Sequence, residues 1–70
     1  MSFSSAFSFM RNGFDVRLPE WGGYWYWDDV ANSIMMVLKT GETLDIRETT
    51  DVLFTIQNTL RNDWLLASEE

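Results

Sequence analysis

Residues able to contact a nucleotide are concentrated in one stretch of the chain, where aromatic residues flank a pair of glycines. Trp21, Tyr24 and Tyr26 have flat rings that can stack on a nucleobase, at about 1–3 kcal/mol per base. Gly22 and Gly23 lie between these rings and would let a ligand approach the backbone closely. Packing in a core or a subunit interface explains such clusters more often than ligand stacking, so the pattern permits a nucleotide site without requiring one.

Two arginines and a predicted helix start could hold the phosphate groups of the same ligand. Arg17 precedes the aromatic cluster and Arg47 precedes the second predicted helix, and a guanidinium can bind two phosphate oxygens at once. Thr49 and Thr50 lie where the free backbone amides of that helix suit an anion, although Asp51 partly cancels their charge. Each arginine is equally compatible with an ordinary surface or salt-bridge role.

The chain lacks the side chains on which many enzymes depend. It contains neither His nor Cys, so the commonest general base, the thiol nucleophile and the commonest metal ligands are missing. Asp28 and Asp29 are adjacent carboxylates, but without a third ligand at suitable spacing they are typical of a solvated turn. We therefore expect a binding protein that is not an enzyme and that uses no cofactor and no metal.

The length of the chain limits how much apolar surface it can bury by itself. Its 70 residues predict a single domain over 1–70, and a domain of this size buries only about 60% of its unfolded surface. Hydrophobic residues make up 46% of the sequence and aromatic residues 16%, with no cysteines to form disulfides. Oligomerisation is the remaining support for so small a core, so we expect a homo-oligomer.

The acidic balance narrows the possible partners. Lys and Arg number 5 against 11 Asp and Glu, and the resulting net charge of −6 has the wrong sign for binding a nucleic-acid backbone. It is compatible with a small phosphorylated ligand or with an acidic inhibitor of another protein. No apolar run reaches the roughly 20 residues that span a bilayer, and no basic segment precedes the first apolar residues as in a secretory signal. These features predict a cytoplasmic protein without a membrane partner.

Hydrophobic periodicity and turn signals predict an α+β fold in the order α-β-β-β-β-α-β, with a small antiparallel sheet of about five strands and two short helices. The first helix is expected to begin at a Ser4 or Ser5 cap and to end at Gly13. The second is expected to begin at a Thr49 or Thr50 cap and to bury the stripe Val52, Leu53, Ile56 and Leu60. The predicted strands cover residues 14–18, 24–27, 34–39, 43–47 and 64–67.

Two of the predicted strands are apolar on both faces. Side chains alternate between faces along a strand, so residues 24–27 carry aromatic rings on both sides and residues 34–38 are apolar throughout. In a monomer, the two helices would have to cover one face each. They are too short to cover both faces of a five-stranded sheet, so we favour burial of the second face against another subunit.

The spacing of residues near both ends of the chain resembles one family of short phage and prophage proteins. The closing motif of that family ends in Asp-Trp, and residues 58–64 here (Asn-Thr-Leu-Arg-Asn-Asp-Trp) have its spacing. The opening motif is matched in its intervals by Phe3, Ala6, Phe7, Met10, Gly13, Val16, Arg17 and Trp21. On these motifs the chain resembles the Thoeris anti-defence sponge proteins of the second known type.

The resemblance implies a function. Members of that family form homotetramers and bind cyclic ADP-ribose isomers, notably the glycocyclic forms made by bacterial Thoeris TIR-domain proteins. They hold the signal between subunits without cleaving it, so the downstream effector is never activated, and some also bind cyclic dinucleotides at separate sites. By this resemblance, the chain is expected to be a phage-encoded nucleotide sponge that blocks Thoeris immunity in the cytoplasm of an infected bacterium.

This hypothesis gives each candidate residue a role. Trp21, with Tyr24 or Tyr26, would stack on adenine. Arg17 and Arg47 would hold the pyrophosphate, and the ribose hydroxyls would be contacted by Thr49, Thr50, Asn58 and Asp63. The alternative is an acidic inhibitor that binds a host defence protein directly, with exposed aromatic residues as its main contacts.

Overall fold

The computed structural model of the protein describes residues 1–67. In chain order its elements are α1 (Phe3–Arg11), β1 (Val16–Arg17), β2 (Tyr24–Asp28), β3 (Ser33–Val37), β4 (Thr43–Asp45), a 3-10 helix (Ile46–Glu48), α2 (Val52–Thr59) and β5 (Leu65–Leu66). The strands form one antiparallel sheet in the spatial order β4-β3-β2-β1-β5. The predicted α+β class and the predicted order of helices and strands are confirmed.

The first helix begins earlier than its expected cap. Ser2 is the capping residue, because its Oγ accepts a hydrogen bond from the backbone amide of Ser5 at 3.2 Å. The predicted caps Ser4 and Ser5 therefore lie inside the helix. Gly13 follows the helix with a φ of +92°, a left-handed conformation that favours glycine, so the predicted helix end is confirmed.

Aspartates determine the start of α2 and the end of β4, and the sequence pattern predicted both boundaries at other residues. Asp51 caps α2, since its Oδ1 accepts from the Phe54 amide at 3.0 Å, and neither Thr49 nor Thr50 is the capping residue. Asp45 likewise ends β4 two residues before the predicted end, because its Oδ1 accepts from the amide two residues ahead and turns the chain into the 3-10 helix. A short carboxylate side chain can accept a hydrogen bond from a free backbone amide in this way, which favours a turn over continuation of the strand.

The strand register separates the side chains of the central strands into two faces. Trp25 lies opposite Met36 and Trp27 lies opposite Ile34, on the face that we call the inner face. Phe7 of α1 meets the Trp27 ring edge-on there, with the ring centroids 5.6 Å apart. Alternation places the remaining central side chains on the opposite, outer face, which we define by Tyr24, Tyr26, Met35 and Val37.

The core is organised around the indole of Trp64, which is 1% exposed. Its ring centroid lies 5.1 Å from that of Trp25, 5.2 Å from that of Trp21 and 5.3 Å from that of Phe3. The Trp64 backbone also joins the first residue to the segment after α2, because its amide donates to the carbonyl of Met1 at 3.0 Å. One aromatic side chain thus holds α1, the sheet and the segment after α2 together.

Helix α2 does not bury the stripe that its sequence predicts. Val52, Leu53, Ile56 and Leu60 are 59%, 66%, 49% and 74% exposed, so the expectation of a buried stripe is wrong for the single chain. The side of α2 that faces the protein instead carries Asn58, which is 5% exposed. The Asn58 carbonyl accepts a hydrogen bond from the indole Nε1 of the central tryptophan at 3.0 Å, and this bond fixes which side of α2 turns inward.

The outer face of the sheet is left half-buried by the described part of the chain. Its four defining side chains are intermediate in exposure. Helix α1 packs on the inner face, and Phe54 of α2 borders a groove with the inner-face residue Trp25. The arrangement in which each helix covers one face therefore does not occur among the described residues, and the outer face stays partly exposed.

A valine pair tests this division between core and surface. Val16 is 0% exposed and Val30 is 98% exposed. We expect Val16→Ala to lower the free energy of unfolding by about 2 kcal/mol, through lost burial and the cavity left behind. Val30→Ala, the same chemical change in a solvent-exposed turn, should stay within about 0.5 kcal/mol. Urea unfolding followed by tryptophan fluorescence measures both, and equal costs would contradict the assigned core.

Candidate functional site

A groove of about 530 Å³ lies between the inner face of the sheet and α2. We call it the indole groove and define it by Trp21, Trp25, Met36, Leu44 and Phe54. Its volume falls in the range of about 300–1,000 Å³ typical of small-molecule sites. Aromatic rings and the apolar side chains of Met36 and Leu44 form the walls. A planar ring of moderate size is the chemical group that fits best between them.

Gly22 and Gly23 line the groove beside the turn that follows β3. A Cβ atom on Gly23 would lie 2.0 Å from the carbonyl oxygen of Val37, and one on Gly22 would lie 2.8 Å from the Cβ of Lys39. Gly23 is thus required for close packing against β3, and Gly22 for close packing against the turn that follows it. Their predicted role in admitting a ligand to the backbone stays a prediction, and packing already explains them.

Lys39 is the cation that lines the groove, and the sequence reasoning missed it. Its position follows from the strand register. Tyr24 pairs with Val37, so Gly22, two residues before Tyr24, lies beside Lys39, two residues after Val37. Thr40 and Thr49 add hydroxyl groups to the same lining. An ammonium and two hydroxyls beside aromatic walls could bind the phosphate and sugar of a nucleotide whose base occupies the groove.

A second group of predicted residues lies on the outer face of the sheet. Register and alternation place Arg17 there, in line with Tyr24, and Tyr26 two residues further along the neighbouring strand. Nη1 of Arg17 donates to the carbonyls of Leu18, Pro19 and Trp21 at 3.2, 3.2 and 3.1 Å. Arg17 therefore stabilises the loop that positions Trp21. In this way a side chain of the outer face supports the groove on the inner face of the sheet.

Arg47 is held in a polar cluster at the edge of the sheet. Its Nη2 contacts Oδ2 of Asp45 at 2.6 Å and donates to the carbonyl of Ala31 at 3.2 Å. The hydroxyl of Ser33 donates to Oδ1 of Asp45 at 2.7 Å. Hydrogen bonds from the Arg47 side chain, then from its backbone amide and from Ser33, hold the pKa of the Asp45 carboxyl well below its usual value.

The remaining predicted ligands are dispersed. Thr49 lines the groove, whereas Thr50 is exposed. Asp63 pairs with Arg61, whose Nε donates to Oδ1 at 2.9 Å, and Arg61 also pairs with Glu20. These hydrogen bonds lower the pKa values of Asp63 and Glu20.

Asn58 differs from the other predicted ligands in being buried. Its Nδ2 has no hydrogen-bond partner among the described residues. A buried amide of this kind is a potential donor to a bound molecule.

The structure thus divides the predicted site between two surfaces. The groove brings together Trp21, Gly22, Gly23 and Thr49, to which the structure adds Lys39. The sheet register places Arg17, Tyr24 and Tyr26 on the outer face, and Arg47 at its edge. On one chain, no single small ligand touches both tyrosines and the groove, because the sheet lies between them.

Comparisons of the chain with known protein families, with curated proteins and with solved structures gave no match. Within residues 1–67, no helix is long and apolar enough to cross a bilayer. The same part of the chain contains no group of three or more Asp or Glu side chains placed to hold a metal ion.

The Asp45 cluster generates a prediction about pH. A carboxyl whose pKa is lowered in the folded state adds stability above its unfolded value near 3.8, and this stability is lost as pH falls through the folded pKa. We expect Asp45→Asn to be less stable than the parent protein at pH 7 and 5, with the difference shrinking below pH 4. Urea midpoints at each pH measure this effect. Glu42→Gln in the exposed hairpin turn controls for net charge, and a difference that is constant down to pH 2 would contradict the ion-pair assignment.

Proposed function

We propose that the protein is a nucleotide sponge that binds a cyclic ADP-ribose-type signal and holds it without cleaving it. The observation that carries this proposal is the indole groove, an apolar concave site lined by Trp21 and Lys39. Adenine would stack on Trp21, and the pyrophosphate would lie by Lys39. The ribose hydroxyls would meet Thr40 and Thr49. The motif resemblance supports the choice of a cyclic nucleotide among ligands with these groups.

The absence of His and Cys from the sequence favours retention of the ligand over its cleavage. Carboxylates remain possible acids or bases in principle. Near the groove, however, Glu20 is ion-paired with Arg61 and its pKa is lowered, so it is ionised at neutral pH and can only accept hydrogen bonds. Such an acceptor is suited to sugar hydroxyls and is a poor proton donor to a leaving group.

A homotetramer is part of the proposal, and the uncovered outer face supports it. Tyr24, Tyr26, Met35 and Val37 form an apolar surface that a second copy of the chain can bury. In such a pair, Arg17 would lie beside the tyrosines at the subunit boundary. A second nucleotide, such as a cyclic dinucleotide, could then be held between subunits at a site distinct from the groove.

The proposed place of action is the cytoplasm of an infected bacterium, where the signal would otherwise activate a Thoeris effector. The net charge of −6 supports a partner other than nucleic acid. The competing function is that of an acidic inhibitor that binds a host defence protein directly, and it predicts no retained nucleotide.

One experiment separates these functions. The protein is incubated with a cyclic ADP-ribose isomer, free ligand is removed by filtration, and the protein is heat-denatured before the released material is analysed by liquid chromatography. The sponge predicts release of intact ligand in near-stoichiometric amount. Release of cleaved product would identify an enzyme, and a protein that retains nothing would direct the search to a protein partner.

The role of Lys39 gives a sharper prediction. Lys39→Met keeps the apolar stem but removes the charge, and we expect a loss of about 10-fold or more in affinity, because a hydrogen bond to a charged group contributes about 1.5–3 kcal/mol. Arg11→Met is the matched control, since it makes the same change in net charge on α1, where the guanidinium lies 4.7 Å from the Trp27 ring. Calorimetric titration of both variants decides the point, and equal affinities would remove Lys39 from the site.

A further inference from the structure

The apolar stripe of α2 points away from the rest of the chain. We define the α2 stripe as Val52, Leu53, Ile56 and Leu60, which are 49–74% exposed. Successive helical residues are about 100° apart, so these four side chains fall within an arc of about 100°. Asn58, on the opposite side of the helix, faces the body of the protein. Helix α2 is therefore amphipathic with its apolar side outward.

The size of the exposed surface marks it as an interface. Single exposed apolar residues are normal on proteins, whereas contiguous patches of several hundred Å² mark interaction sites. The four side chains of the α2 stripe present on the order of 400 Å² of apolar surface per copy. Two such surfaces placed face to face bury on the order of 800 Å², the size of a weak interface that a second contact within the same assembly would reinforce.

The charge pattern indicates which partner covers the stripe. The chain carries a net charge of −6, so two copies repel each other over most of their surfaces. From Val52 to Leu60 no residue is charged, so this surface can meet its own copy without that repulsion. A basic partner would find no carboxylate within the stripe to pair with. A second copy of the chain is therefore the occupant that the pattern fits.

Orientation follows from the helix ends. In a parallel pair, the Asp51 carboxylates of the two copies would lie side by side at the same end, and the aligned helix dipoles would repel. In an antiparallel pair centred near Ile56, the two Asp51 residues are separated by about 15 Å along the helix axis, and opposite dipole ends are adjacent. A two-fold axis near Ile56, at the middle of the stripe, produces this arrangement.

We propose that α2 pairs with α2 of a second copy, antiparallel and about a two-fold axis, through the α2 stripe. This pairing goes beyond the proposed oligomer of the outer face, and it does not depend on nucleotide binding. Helix α2 lies on the inner side of the sheet, so the two self-association surfaces lie on opposite sides of the chain. Two different two-fold interfaces on one chain give a closed tetramer with dihedral symmetry when their axes cross at right angles.

The pairing has a consequence for the indole groove. Phe54 and Thr55 of α2 form the wall of the groove opposite the sheet, and the inward side of α2 buries little apolar surface of its own. A second copy packed on the outward side would hold this wall in place. Ligand affinity and self-association are then linked, so that bound nucleotide favours the pair.

Light scattering with a matched variant tests the proposal. Leu53→Glu introduces a charge into the stripe, and Val30→Glu introduces the same charge at a turn residue that is 98% exposed. We expect Leu53→Glu to halve the mass of the parent tetramer and Val30→Glu to leave the mass unchanged. Because Leu53 is itself exposed, both variants should keep the circular dichroism spectrum of the parent. Tyr26→Glu on the outer face should also halve the mass, and both substitutions together should give the 8.2 kDa monomer.

Disulfide trapping tests the orientation independently. The chain has no cysteine, so Ile56→Cys supplies a single thiol close to the proposed axis. Mild oxidation should cross-link this variant into covalent dimers far faster than Val30→Cys. In the antiparallel pair, Val52→Cys and Leu60→Cys should cross-link with each other when mixed but only slowly with themselves.

Each result decides one of the two interfaces. A monomeric parent protein would overturn both. A parent mass that survives Leu53→Glu, with no preference for Ile56→Cys cross-linking, would overturn α2 pairing and leave the outer-face oligomer standing. A parent dimer that is dissolved by Leu53→Glu but unchanged by Tyr26→Glu would support α2 pairing and overturn the outer-face oligomer, whatever the outcome of nucleotide binding.

Discussion

Burial of the Trp64 indole is the constraint on which the rest of the molecule depends. The ring fills the space between α1 and the sheet and touches Phe3, Trp21 and Trp25 at once. A buried indole also needs an acceptor for its N–H, and the Asn58 carbonyl supplies it. That hydrogen bond ties α2 to the core through its backbone, while the apolar stripe of the helix stays exposed.

This constraint explains why the apolar surface of so small a chain is distributed as it is. Trp64 and α1 already occupy much of the inner face, so α2 cannot also bury its apolar stripe there. The space left between α2 and the sheet is the indole groove, lined by Trp21 and Phe54. The apolar residues that do not fit inside are left on the outer face and on the outward side of α2. Both surfaces follow from an interior too small for the composition.

Local patterns predicted the elements well, and tertiary geometry limited what they predicted about the site. Ala6 and Met10, four residues apart in α1, are both buried, and the strands with two apolar faces follow from alternation alone. The α2 stripe was misassigned because periodicity shows that a helix has an apolar side, but does not show what covers it. Lys39 was missed because its place beside Gly22 depends on the register between β2 and β3, which no local pattern specifies. Arg17 and Trp21 are near in sequence, yet alternation sends the arginine to the outer face.

Assembly and ligand binding would draw on the same surfaces in a protein of this kind. A sponge acts by equilibrium binding, so its effect depends on affinity and on copy number, and no turnover compensates for a weak site. A 70-residue chain has a small free energy of unfolding, so the cost of ordering a pocket wall would be a large part of it. If pairing through α2 orders the wall, the stabilisation comes from the second copy and leaves the inner core unchanged. Any ligand that binds the paired form more tightly must then strengthen pairing by the same factor by which pairing strengthens its own binding, because the two equilibria form a closed cycle. On these proposals, α2 contacts a nucleotide on its groove side and a second copy of the chain on the α2 stripe, so both bind the same helix.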